Sequence, residues 1–169
     1  KKETIMKRSY LLAFLVVLAA VLFAEANHGS QNSPQVTSQE KNKALVRRFY
    51  DEVWKNGNLA VADEVFAANY VRHDPLGAAP APGVEGQKQI AAAFRKAMPD
   101  RKTTIDLMIA EGDLVAARWT MNGVHVPTGK KVEFAGVNIF RIASGKIVEL
   151  WNHRDDLGFQ QQIGAIAPK

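Results

Sequence analysis

One stretch constrains the fold more than any other: Val132 to Gly158, VEFAGVNIFRIASGKIVELWNHRDDLG. It reads as two long strands around a tight turn, Ser144-Gly145-Lys146. A Gly there supplies the positive φ that a short hairpin loop needs. Before the turn the residues alternate. Val132, Phe134, Gly136, Asn138, Phe140 and Ile142 share one face; Glu133, Ala135, Val137, Ile139 and Arg141 share the other. After the turn, a strand without a bulge puts Ile147, Glu149, Trp151, His153 and Asp155 on one face. That row begins apolar and ends in an imidazole and a carboxylate. A strand leaving a core and entering a cavity has this pattern.

The rest of the chain fits around that hairpin. Thr37-Ser38-Gln39-Glu40 has capping-box spacing, and a helix is expected from there to about Lys55. Leu45, Phe49 and Val53, flanked by Val46, Tyr50 and Trp54, give it one wide apolar stripe. Gly57 ends it. A second helix is expected over Leu59–Ala67, then a short extended piece, Tyr70-Val71-Arg72-His73-Asp74, before Pro75. Pro75–Gly86 reads as a loop long enough for a lid. A third helix is expected over Gln87–Met98, stopped by Pro99. Thereafter the period switches to two. Lys102–Ala110, Leu114–His125, Lys131–Ala143 and Lys146–Arg154 read as four strands with turns at Glu111-Gly112-Asp113 and Pro127-Thr128-Gly129-Lys130. Helices first and hairpin-linked strands after them mean α+β. Four long antiparallel strands must curl, and the helices then pack on the concave face of a cone-shaped sheet.

The first residues have another character. Lys7 and Arg8 precede Tyr10–Ala24, an uncharged apolar run, and Ala24-Glu25-Ala26 offers small residues at a cleavage site. A spanning helix needs about 20 apolar residues, so residues 1–26 read as a secretory signal peptide rather than an anchor. Met6 reads as the initiator. Residues 27–36 read as a linker, and residues 37–169 as one domain. The expected location is secreted or periplasmic, with no membrane attachment after cleavage. Without Lys1, Lys2, Lys7, Arg8, Glu3 and Glu25, the net charge falls from +5 to +3. No basic stripe accompanies it, so a nucleic-acid partner is not expected. The chain has no cysteine, so an exported domain must rest on its core alone, and thiol chemistry is excluded.

The chemistry is therefore carried by few residues. No serine elbow, phosphate loop or zinc-protease spacing occurs. Asp155 follows a buried-looking strand and Trp151. A carboxylate against apolar walls has its pKa raised and can move protons near neutral pH. The plainer alternative is that Asp155 caps a short terminal helix. His73 stands as a pocket base or donor, or as a tether of the loop. His125 ends a strand whose odd positions are Val115, Ala117, Trp119, Met121 and Gly123, and stands at a cavity mouth or on the rim. His153 adjoins Asp155. Trp119 and Trp151 fit a core as well as a substrate wall. Tyr50 and Asn138 complete the expected lining. Ligand spacing for a metal is absent, so no metal is expected.

Several segments together resemble the SnoaL-like polyketide cyclase family, also called ester cyclases. They are NKALVRRFYDEVWKNGNLAVADEVFAANYVRHDP, Met98-Pro99-Asp100, AEGDLVAARWTMNGVH, PTGKKVEFAGVNIFRIASGKIVELWN and DDLGFQQQIG, spanning about Lys41 to Gly164. The resemblance implies the cone-shaped, cystatin-like α+β barrel of the nuclear-transport-factor-two-like superfamily. It implies ring closure by intramolecular aldol condensation with no cofactor, a pocket Asp serving as general acid and base. The W-x-x-x-D pattern carries that role to Asp155, the Tyr-Val-x-His-Asp segment points to His73, and G-x-H to His125. A homodimer through the outer sheet face is also implied. Two functions stay open. One is acid–base chemistry on a small hydrophobic carbonyl compound. The other is an exported pocket protein that binds a hydrophobic ligand without turning it over. An enzyme should hold Asp155 inside the cavity; a binder should leave it at the surface.

Overall fold

In the computed structural model, residues 37–75 and 81–167 are described. The expected leader and linker, and the middle of the Pro75–Gly86 loop, lie outside the described residues. Helix α1 (Ser38–Arg48) starts where the capping box places it, with Thr37 Oγ1 accepting from the Glu40 amide at 3.2 Å. It then widens into π-helical turns over Phe49–Asn56. The wider turn carries a run in which Phe49, Tyr50 and Val53 are all buried. Gly57 closes it with φ 76. The orphan carbonyls of this end are met by cations. Arg95 donates to Trp54 O at 3.2 Å and Lys55 O at 2.9 Å, and Arg101 donates to Trp54 O at 2.7 Å.

Helix α2 is shorter than expected (Val61–Val65), because strand β1 already begins at Phe66 and runs to His73. The short extended piece is thus a full strand. Helix α3 spans Gly83–Ala97, so the loop before it is shorter than its Pro and Gly content suggested. Strands β2 (Lys102–Glu111), β3 (Leu114–His125), β4 (Lys130–Ala143) and β5 (Lys146–Arg154) follow, then helix α4 (Asp156–Ile163). The sheet has five strands in the order β1-β5-β4-β3-β2. The last four pair antiparallel in sequence, and β1 lies parallel to β5 at the edge. The architecture is α+β, a curled open sheet with the helices on its inner face.

The β4–β5 turn has φ 50 at Ser144 and φ 72 at Gly145. Two positive values in succession make the primed turn that matches strand twist. The inner row of β4 is as the alternation foretold: Val132, Phe134, Asn138, Phe140 and Ile142 are buried. Phe49 sits against it, edge-on to Phe66 at 5.1 Å and Phe140 at 5.9 Å. Burying each such ring contributes about 1.5–3 kcal/mol. Helix α4 is pinned by Gln162, whose amide accepts from Glu133 N and donates to Glu133 O, both at 2.8 Å.

One irregularity decides what β5 shows to the interior. Ile142 pairs with Ile147, but Arg141 pairs with Glu149, so Val148 is an extra residue. Beyond it the parity flips. Leu150 and Asn152 are buried, whereas His153 is exposed.

Candidate functional site

A cavity lies between the inner sheet face, the π-helical turns and α3. Tyr50 and Trp54 come from the helix, Phe94 from α3, and Thr103 from β2. Strand β3 adds Trp119 and Met121, β4 adds Phe134 and Asn138, and Arg72, Asn152 and Arg154 come from β1 and β5. Its aromatic wall is continuous: Trp54 meets Phe94 at 5.8 Å, and Trp119 meets Phe134 edge-on at 5.8 Å. Trp119 lies across Gly136, its register partner. A Cβ there would meet the indole at 2.5 Å, so only Gly fits. The empty space is about 340 Å³ counting the open mouth. Only about 20 Å³ of it admits a water's centre, room for about one water, so a larger ligand enters only as wall side chains move apart. At the rim Arg154 bonds Asp156 through Nε and covers the Phe94 ring at 5.5 Å.

The polar groups form two sets. Asn138 Nδ2 donates to Tyr50 Oη at 2.9 Å in the buried centre. Burial pushes the Tyr50 phenol far above its ordinary value; the Asn138 bond and the Arg72 charge offset this only in part. Tyr50 is therefore neutral and keeps its own proton to donate. Behind the wall, Arg72 donates to Gln87 Oε1 at 3.1 Å and to Asp74 Oδ2 at 2.9 Å. Asn152 Nδ2 also donates to Asp74 Oδ2, at 3.0 Å, and Tyr70 Oη bonds Gln87 at 3.3 Å. The Arg72 and Asp74 side chains are 6% and 11% exposed. A charge pair this enclosed holds its shape, since removing one partner costs about 3–5 kcal/mol.

Of the residues expected from sequence, Tyr50, Trp119 and Asn138 meet in this cavity. The others do not. Asp155 is exposed and caps α4, its Oδ1 accepting from the Gly158 amide at 2.8 Å. The expected row through Trp151, His153 and Asp155 assumed an unbulged strand; Val148 turns Trp151 and His153 to the outer face. His73 is also outside. Its ring stacks on Trp151 at 4.9 Å, and its Nε2 lies 2.9 Å from Glu149 Oε2, a carboxylate that Arg141 also bonds. His125 lies beyond the lining, bonded to Thr128 Oγ1 at 2.9 Å and edge-on to Phe159. His73, His125 and His153 do not converge, and among the described residues no group of three His, Asp or Glu could hold a metal ion. Trp54, Arg72, Thr103, Asn152 and Arg154 are site residues that the expected lining lacks. Arg72 shares the parity of buried Tyr70, so reading Phe66–His73 as a strand would have found it. Asn152 and Arg154 needed the bulge.

The chain matches the sequence model of the SnoaL-like polyketide cyclases over residues 44–163. Among proteins of curated function, none matches. Several solved structures are similar. A protein of Bacillus cereus classed as a polyketide cyclase is 32% identical; the likeness covers 76% of this chain and 83% of that one, with a TM-score of 0.69. IdmH of Streptomyces antibioticus, also classed as a polyketide cyclase, is 28% identical over 73% of this chain and 98% of that one, with a TM-score of 0.65. A SnoaL-like protein of a Jannaschia species shares the fold at 23% identity, covering 83% of this chain and all of its own, with a TM-score of 0.70.

Proposed function

The chain belongs to the SnoaL-like polyketide cyclase family, and on that premise we propose that it is a cyclase- or isomerase-type enzyme enolising a small carbonyl compound with an apolar body. The observation that carries this reading is the neutral, buried Tyr50 phenol bonded to Asn138 inside an aromatic cavity. Such a phenol polarises a carbonyl oxygen and stabilises the enolate as charge develops, where shielding from water strengthens the bond. Met121, Phe94 and Phe134 supply apolar contact for the rest of the ligand.

The proton acceptor in this reading is Asp74. Among the described residues, no Asp, Glu or His lines the cavity. Two carboxylates stand one bond behind it: Asp74 through Arg72 and Asn152, and Asp156 through Arg154. Asp74 is the more enclosed. It takes the proton when substrate displaces the Asn152 amide, which shares Oδ2 with Arg72. The test is deuterium uptake from heavy water at the α-carbons of enolisable ketones, followed by NMR. Wild-type protein should exceed buffer, and Asp74→Asn should lose about 10²- to 10⁴-fold of that rate while keeping its circular dichroism. A folded Asp74→Asn with an unchanged rate removes Asp74 from the mechanism.

A second reading has its own support. Asp155 at the surface and a lining without a base among the described residues fit a pocket protein that binds its ligand unchanged. It expects saturable binding with no deuterium uptake. Either way, the proposal includes a homodimer through the outer sheet face. One row there, in register across all five strands, is Ile109, Ala116, Ile139, Trp151 and His73.

A further inference from the structure

The cavity's unpartnered polar atoms are unevenly divided. Arg72 Nε, Trp54 Nε1 and Trp119 Nε1 are buried N–H donors with no partner among the described residues, and Thr103 Oγ1 is a buried hydroxyl with none. All four residues line the cavity. Against them stands one unpartnered acceptor in the described lining, Asn138 Oδ1. Buried donors left unmade are costly, so this donor excess is a feature that a purely apolar ligand would leave unmet.

The charges lean the same way. Among the described residues, the lining holds two guanidinium groups and no carboxylate or imidazole. Arg72 commits its terminal nitrogens to Gln87 and Asp74, which fixes the direction of its Nε. Arg154 commits only Nε, to Asp156. Among the described residues its two terminal nitrogens have no bond, and they form the fork that takes a carboxylate bidentately. The Arg154 side chain is 18% exposed, so it meets an entering ligand at the rim while Arg72 waits deeper.

We propose that the ligand carries a carboxylate, received by the Arg154 fork and completed by Arg72 Nε and the Trp119 and Thr103 donors, which makes the ligand class an enolisable keto acid with a compact apolar body. The word enolisable rests on the function proposed above; the carboxylate does not. A neutral ketone or ester of the same shape leaves the fork and at least one buried N–H unpaired. The discrimination expected from charge-assisted bonds is about ten- to hundredfold in affinity.

The probes are levulinate and methyl levulinate, which share an enolisable ketone and differ in the charge. Trp54 and Trp119 report binding through quenching of their fluorescence. Levulinate should bind at least about tenfold more tightly than the ester. Arg154→Gln should erase that preference with little change for the ester, and Arg154→Lys should keep part of it. Thr103→Val, which removes a buried hydroxyl, should weaken levulinate binding without lowering the thermal midpoint. Equal affinity for acid and ester, a preference that survives in Arg154→Gln, or no binding of either probe overturns the proposal. Deuterium uptake separates the two claims. Ester that exchanges its α-protons through Asp74 with no preference for the acid leaves the enzyme standing and the carboxylate site fallen. Tight, Arg154-dependent levulinate binding without exchange does the reverse.

Discussion

Tyr50 and Tyr70 are titratable groups that fold into surroundings far from water. Both phenols are pushed above their ordinary value of 10, by burial first, with Arg72 pulling the other way. The sign follows from linkage. Above pH 10 the unfolded chain loses phenol protons that the folded chain keeps, so stability falls as pH rises. The contribution is complete below pH 10 and is lost as pH climbs toward the folded values. The only other tyrosine is Tyr10, in the expected leader. A chain beginning at Asn27 should therefore show no phenolate absorbance between pH 10 and its alkaline unfolding, then gain all of it together with loss of circular dichroism. Phenolate rising before unfolding would mean that at least one ring is open to water. Tyr50 was legible in the sequence from its place on the apolar stripe. Its role was not, because the partner Asn138 lies 88 positions away.

A bulge of one residue separates the expected site from the observed one. The alternation of β4 holds along its whole length, so the inward position of Asn138 follows from the strand period alone. The alternation of β5 fails after Ile147, because Val148 has no partner of its own. Nothing in IVELWNHRD marks that extra residue, since Val, Glu and Leu suit either face of a strand. The shift puts Asn152 and Arg154 into the cavity and leaves Asp155 to end the strand and start α4. There it makes an ordinary cap, with Gly158 so close that any Cβ would touch the carboxylate. Asp155→Ala should therefore lower stability by about 1 kcal/mol, measured by urea denaturation, and leave deuterium uptake unchanged. A large loss of uptake in a folded Asp155→Ala would return the proton-transfer role to that residue.

At the scale of the molecule, the sheet has an inner face filled by helices and an outer face that none of the described elements covers. Leu107 and Ile109 are about 60% exposed there, and Val137 and Ile139 continue the apolar area toward Trp151. A patch of this kind suits the association proposed above. On the dimer proposed above, a chain beginning at Asn27 should sediment as a dimer at micromolar concentration, and Ile109→Asp should sediment as a monomer with unchanged circular dichroism. A wild-type monomer would assign the face to another partner or to solvent. The same row explains His73. Its ring stacks on Trp151 and pairs with Glu149, so it belongs to this surface rather than to the cavity.

Local rules were enough for most elements of this protein, though not for the full length of β1 or the bulge in β5. Capping, periods of 3.6 and 2.0, and turn glycines depend on neighbours a few residues apart, and they set α+β, the hairpins and the inner row of β4. Segment by segment, the sequence also carried the family resemblance. Tertiary structure alone decided the rest of the site beyond Tyr50, Trp119 and Asn138. The parallel seat of β1 beside β5 brings Arg72 and Asp74 to Asn152, a contact across 78 positions. The bulge chooses which half of β5 faces the helices. Both depend on how distant strands pair, and pairing energy is spread over whole ladders rather than written in any one segment.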